Sequence, residues 1–246
     1  MTKGFFRFVA GKLPLRLLPT DSTFRVFQRL SSWLAGVTFF CDWQLEARGR
    51  PQFFKHQIDI ARWPFEPHRW SFTARGVYAR EVMFKGCTVL DLCCGDGSYS
   101  YLFFSDIARQ VIAIDNDEHA IRYARKYHAT RNVSFRRMDI LRDGLPGEEY
   151  DVVVWNAAIC YFSETEIGLV LSRVIAASKP TLKLVGMLPK ANGWIDHKTE
   201  FDDASAVNRF LRQYFGEVVT REIDEGAATS FYFQAAVPLK SSQRGG

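Results

Sequence analysis

The chain has no uncharged run of the ~20 residues needed to cross a bilayer as a helix. The uncharged run in its N-terminal part, residues 30–41, is 12 residues long. It has no C-x-x-C pair, and its five cysteines (Cys41, Cys87, Cys93, Cys94 and Cys160) are an odd number. These features exclude a zinc ribbon or a paired disulfide framework, imply no metal centre, and point to reduced thiols in the cytoplasm. Charges interrupt the first 16 residues and no small-residue cleavage site follows a clear apolar run, so a secretory leader is not expected. There is no internal repeat, and the only low-complexity stretch is the tail 241–246, which is expected to be disordered.

What is present is ordinary in amount and uneven in placement. The 246 residues are 47% hydrophobic and 24% charged, enough for one large domain with an appendage. Residues 1–50 carry eight Lys/Arg against three acids, which accounts for the whole net charge of +5; the remaining 196 residues hold 24 of each sign. The balanced part argues against DNA or RNA as a partner. In the basic head, Phe5, Phe6, Phe8, Val9, Leu13, Leu15, Leu17 and Leu18 alternate with Lys and Arg. That mixture suits a helical extension that packs on the domain or covers its site. It also suits a peripheral contact of residues 1–40 with an anionic membrane surface. Pro51, Pro64 and Pro67 then bound an irregular, aromatic-rich segment. The expected division is a basic, aromatic N-terminal extension or cap over 1–69, a ligand-binding domain over 70–240 and the tail.

From residue 87 strands and helices alternate. Strands are expected at 88–92, 110–114, 133–137, 151–155 and 182–188, with helices at 71–84, 98–108, 118–129, 164–178 and 204–215. Two last β runs, 217–223 and 230–237, have no helix between them. Alternation means an α/β, doubly wound, mostly parallel sheet of seven strands, and the closing pair must be an antiparallel hairpin.

The strand ends carry the chemistry. Residues 89–97 read VLDLCCGDG: a buried run, Asp91, and a loop with Gly95 and Gly97 before a helix start. Ligands of nucleotide type bind at such junctions. Asp115 ends the second strand, 18 residues after Gly97, where a carboxylate accepts from both ribose hydroxyls; Asn116 follows it. Asp139, flanked by Met138 and Ile140, is placed to accept from an adenine amino group. Asn156 ends the fourth strand. A dinucleotide fingerprint G-x-G-x-x-G is absent in either register, which disfavours a nicotinamide-dependent dehydrogenase. A carboxylate opening the turn at Asp91 suits a ligand with an ammonium and a positive sulfur better than a pyrophosphate.

With these four motifs in order, the chain resembles the class I S-adenosylmethionine-dependent methyltransferases over about residues 70–238. VLDLCCGDG is similar to their first motif, with Cys93 at its first glycine; AIDND (113–117), RMDI (137–140) and YDVVVWNAAICYFS (150–163) are similar to the next three. The resemblance implies a Rossmann-like methyltransferase fold and S-adenosyl-L-methionine as cofactor. It implies that Asp91, Cys93, Gly95 and Gly97 surround the methionine end, that Asp115 and Asn116 meet the ribose, and that Met138, Asp139 and Asn156 complete the site. Cys93 replaces glycine without strain only at negative φ. Relatives with similar fourth-strand motifs read Ala-Ala-Ile-Glu-His-Phe where this chain reads Ala-Ala-Ile-Cys-Tyr-Phe, so a histidine base is missing there.

A hydroxyl acceptor needs a base. Tyr161, His68 and His197 are the candidates, although each also suits a lining, packing or solvated role. The Asn/Asp-Pro-Pro-Tyr/Phe tetrapeptide used on base amino groups is absent, the run being Asn156-Ala157-Ala158-Ile159. The expected acceptor is a small molecule or a glycolipid-type hydroxyl. Arg62, Arg69 and Arg75 are available to a carboxylate or phosphate on it. The other reading, a non-catalytic partner subunit on the same fold, remains compatible with the sequence.

Overall fold

The computed structural model describes residues 29, 30, 33, 70–147, 149–190, 197–224 and 229–239. The chain divides into two units, residues 1–52 and 53–246, where the sequence reading sets a boundary at 69/70. In the first unit Arg29, Leu30 and Trp33 are helical and exposed. The expectations for the rest of the head, and for Arg62, His68, Arg69 and the tail 241–246, fall outside the described residues.

The second unit is a seven-stranded sheet in the order β3-β2-β1-β4-β5-β7-β6. The strands are β1 (Thr88–Leu92), β2 (Gln110–Asp115), β3 (Val133–Arg137), β4 (Tyr150–Asn156), β5 (Ser178–Pro189), β6 (Phe215–Asp224) and β7 (Thr229–Pro238). β1 to β5 pair in parallel, and β7 runs antiparallel between β5 and β6. The strand order reverses at β1, where β2 and β4 flank it in parallel, which opens a crevice at the carboxyl ends of the strands.

Residues alternate between two cores because successive strand side chains point to opposite faces. On one face Val89, Val111, Val154 and Met187 pack under Tyr78 and Ala79 of α1 (Trp70–Arg80), Val82 of the turn after it, and Ile121 and Ala124 of α2 (Glu118–Tyr127). On the other, Leu90, Ile112, Val153 and Trp155 meet Ile167, Val170 and Leu171 of α3 (Glu164–Ala176) and Val207 and Phe210 of α4 (Ala204–Leu211). The helices start where side chains satisfy their first N–H groups. Asp117 caps α2, Asp203 caps α4, and Ser163 with Glu166 forms a capping box on α3.

Three elements differ from expectation. The helix expected over 98–108 ends at Phe104 and closes in a π-helix, Ser100–Phe104, a form found often beside functional sites. α1 ends at Arg80 rather than near residue 84, and the chain then turns through Gly86 at φ +87°. β5 begins at Ser178, four residues early, because Ser178 pairs with Tyr150 across a register shift.

Candidate functional site

A cavity of about 700 Å³ lies at the carboxyl ends of β1 to β4. It is walled by nearly every residue singled out from the strand ends: Asp91, Cys93, Gly95, Asp115, Asn116, Met138, Asp139, Asn156 and Tyr161. Gly97 and His197 are not among its lining residues, and His68 lies outside the described residues.

Asp91 ends its run as a buried carboxyl. The Ser100 hydroxyl donates to Oδ2 at 2.6 Å. Burial pushes its pKa up to about 7, against the pull of that hydroxyl, and the neighbouring Asp115 and Asp96 push it further in the same direction. A buried acid with one neutral partner is a place for a cation. Asp115 is held by two backbone donors, Gly95 N–H to Oδ2 at 2.9 Å and Asp117 N–H to Oδ1 at 2.8 Å. Burial also raises its pKa, against those two bonds. The bond from Gly95 ties the glycine loop to the end of β2, and Gly95 takes φ +54° to make that turn. Asp139 accepts Leu141 N–H at 2.9 Å and Arg142 N–H at 3.2 Å on one oxygen, Oδ1. The turn it organises sets Met138, Ile140 and Leu141 in the wall.

Gly97 is required by packing. At φ +76°, a Cβ there would lie 2.3 Å from the Phe135 ring and 3.0 Å from Ala124 Cβ. Cys93 departs from the expectation of negative φ: it stands at φ +56°, so the left-handed backbone of the glycine is kept and a side chain is imposed on it. Such a conformation costs of order 1–3 kcal/mol. Burial, with Asp115 next, raises the pKa of its thiol, so the group is a neutral wall element. Ala157 is also left-handed, at φ +55°, in the wall just after Asn156. Asn156 Nδ2 is buried and has no hydrogen-bond partner, an open donor on a residue of the wall.

The outer wall is built by a crossing of two loops. Lys198 and Thr199 N–H both donate to Cys160 O, at 2.8 and 3.2 Å, and the Thr199 hydroxyl donates to Phe162 O at 2.7 Å. This brings the segment after β5 onto the 3₁₀ turn Ile159–Tyr161. Two candidate bases therefore meet: the Tyr161 and His197 rings pack edge to face with centroids 5.5 Å apart. The His197 side chain is 3% exposed, and its Nδ1 lies 3.6 Å from Glu200 Oε1. The wall also includes Lys198 and Tyr99, which the sequence reading did not single out, and Arg75, which it assigned only to the acceptor. Tyr99 is stacked on Phe72 of α1 at 4.4 Å, which brings that helix to the cavity.

The donor set thus offers a carboxyl for a cation at Asp91, one for a ribose diol at Asp115, and one beside apolar side chains for an amino heterocycle at Asp139. Known proteins resemble this chain in sequence and in fold. Residues 89–181 match the family model described as a methyltransferase domain. An uncharacterized methyltransferase of Mycobacterium tuberculosis (strain H37Rv) is 30% identical over 125 residues, covering 49% of this chain and 61% of that protein; a Mycobacterium bovis methyltransferase gives the same figures. The chain therefore spans about three fifths of the length of the curated relatives it matches. Among solved structures, the N-methyltransferase NodS from Bradyrhizobium japonicum WM9 superposes with a TM-score of 0.59 at 14% identity, covering 71% of this chain and 99% of NodS. DhpI, solved with SAH, gives 0.56 at 18% identity, covering 73% of this chain and 91% of DhpI. At such identities both show a shared fold. Residues 89–181 thus resemble a methyltransferase domain, and the sheet has the fold of solved methyltransferases.

Proposed function

We propose that this protein transfers a methyl group from S-adenosylmethionine to the hydroxyl of a small-molecule or glycolipid-type acceptor. The observation that carries the reading is the run of three carboxyls, Asp139, Asp115 and Asp91, across adjacent strand ends in one cavity. The residues present fit the cofactor. Asp91, raised by burial, gains a counter-charge from the ammonium. Asp115 meets the ribose hydroxyls with its remaining lone pairs, and Asn116 lies beside it. Asp139 and Met138 hold the adenine, and Asn156, at the end of β4, stands where the methyl-bearing end of the cofactor meets the acceptor. When bound, S-adenosylmethionine supplies a methyl group made electrophilic by its positive sulfur.

The chain's part is to align the acceptor, exclude water and take a proton. Tyr161, in the cavity wall, orients the acceptor hydroxyl. His197, 3% exposed, packed edge to face on the Tyr161 ring and with Nδ1 3.6 Å from Glu200, is the second candidate base. His68, from the segment before α1, is a third candidate base. The exposed Leu30 and Trp33 further support a contact of residues 1–40 with an anionic membrane surface. No helix among the described residues is long and apolar enough to cross one.

The test is transfer of labelled methyl from S-adenosylmethionine to a panel of matched alcohols, amines and thiols. Label on hydroxyl compounds, with Tyr161→Phe lowering kcat by about 10²-fold and leaving SAH affinity unchanged, is expected. Label confined to amines or thiols contradicts the acceptor assignment.

A further inference from the structure

The charged and polar groups around the cavity are sorted by strand. Along β3, β2 and β1 they are the carboxyls of Asp139, Asp115 and Asp91. Past β1 the sign changes. β4 ends in Asn156 with its buried, unpartnered Nδ2; the segment after β5 brings the Lys198 ammonium; α1 brings the Arg75 guanidinium. We infer that the acceptor carries an anionic group, a carboxylate or a phosphate ester, seated by Lys198 and the Asn156 amide at the β4/β5 end of the cavity. This rests on the methyltransferase reading above and names the class of acceptor within it.

The count of charges supports the assignment. The cofactor brings one carboxylate of its own, and Arg75 is suited to it, since α1 reaches the cavity beside Tyr99 through Phe72. Among the described residues of the wall, Lys198 is then the cation that remains for the acceptor. It is 55% exposed and held by Glu166, with Nζ 3.3 Å from Oε1 and 3.2 Å from Oε2. An ion pair this exposed contributes little, so a ligand anion exchanges with Glu166 at low cost. Glu166 stays in place when Lys198 leaves, because Ser163 N–H donates to its Oε2 at 2.8 Å in the capping box. The lysine is held at the rim and is exchangeable, and its backbone is fixed by the bond from Lys198 N–H to Cys160 O. Complementary charge at this end selects anionic acceptors against neutral ones of the same shape.

The experiment is calorimetric titration of the full-length, SAH-loaded protein with benzoate, phenyl phosphate and neutral phenyl glucoside. At least one of the two anions binds about tenfold more tightly than the glucoside, and the arm that binds tells carboxylate from phosphate. Lys198→Gln weakens that anion about fivefold. Glu166→Gln tightens it about threefold, since Gln still completes the capping box and no longer competes for the lysine. A glucoside that binds as well as the anions overturns the inference. So does the absence of anion binding, or an anion affinity unchanged in Glu166→Gln. A protein that takes up no SAH overturns the cofactor reading, and this inference with it; one that takes up SAH and shows no anion preference overturns the inference alone.

Discussion

Replacing Asp91 by Asn separates the stability of this protein from its ligand binding. Burial holds the Asp91 carboxyl at about 7 against a usual 3.8. That gap, at ~1.4 kcal/mol per pH unit, amounts to about 4 kcal/mol at neutral pH and above. The sign follows from linkage. The folded pKa lies above the unfolded one, so the group's contribution to stability is fully present below about pH 4 and is lost as pH rises through about 7. Asn has no such cost and keeps an oxygen for the Ser100 hydroxyl. Urea unfolding should therefore show Asp91→Asn and wild type within roughly 1 kcal/mol at pH 4, and the variant more stable by about 3–4 kcal/mol at pH 8. The same substitution removes the counter-charge for the cofactor's ammonium, and SAH affinity should fall by about 1.5–3 kcal/mol. In wild type, SAH affinity should rise with pH up to about 7, as the carboxyl ionises. A stability difference that is flat between pH 4 and 8 would refute the reasoning. A more stable variant that binds SAH as well as wild type would refute the assignment of the cation to Asp91.

Other outcomes follow from the backbone. Gly97→Ala forces a Cβ to within 2.3 Å of Phe135 at φ +76°, and thermal unfolding should report a loss of about 2–4 kcal/mol; a loss under 1 kcal/mol would mean that the loop moves freely. Val237 is a β-branched residue at φ +58°, half exposed at the end of β7. Val237→Asn should stabilise the protein by about 1 kcal/mol in urea unfolding, because Asn tolerates that conformation and little apolar contact is lost.

The strands were legible where a short apolar run met polar or turn residues on both sides, as at Thr88–Leu92 and Val133–Arg137, whose bounds match the expectation. The closing hairpin was legible from the missing crossover helix. The start of β5 was not, since Ser-Lys-Pro-Thr carries no apolar alternation and is extended only through its pairing with β4. The π-helix escaped because an extra residue in one turn barely changes the apolar pattern; Ser100, a polar residue inside an apolar run, was the available signal, and its hydroxyl serves Asp91. Strand ends could be matched to a ligand because topology alone brings successive ends together. The left-handed backbone at Cys93 was not readable from a residue type that avoids it. Nor was the meeting of Tyr161 with His197, 36 residues further along, which depends on two N–H bonds to the carbonyl of Cys160.

The account stands most directly on calorimetric titration of the wild type and Asp115→Ala with S-adenosylmethionine and SAH. It predicts micromolar binding of both to the wild type and a loss of about 1–3 kcal/mol in the variant, the scale of charge-assisted hydrogen bonds to a ribose. A folded wild type that binds neither ligand, or an Asp115→Ala protein that binds as tightly as wild type, would contradict it.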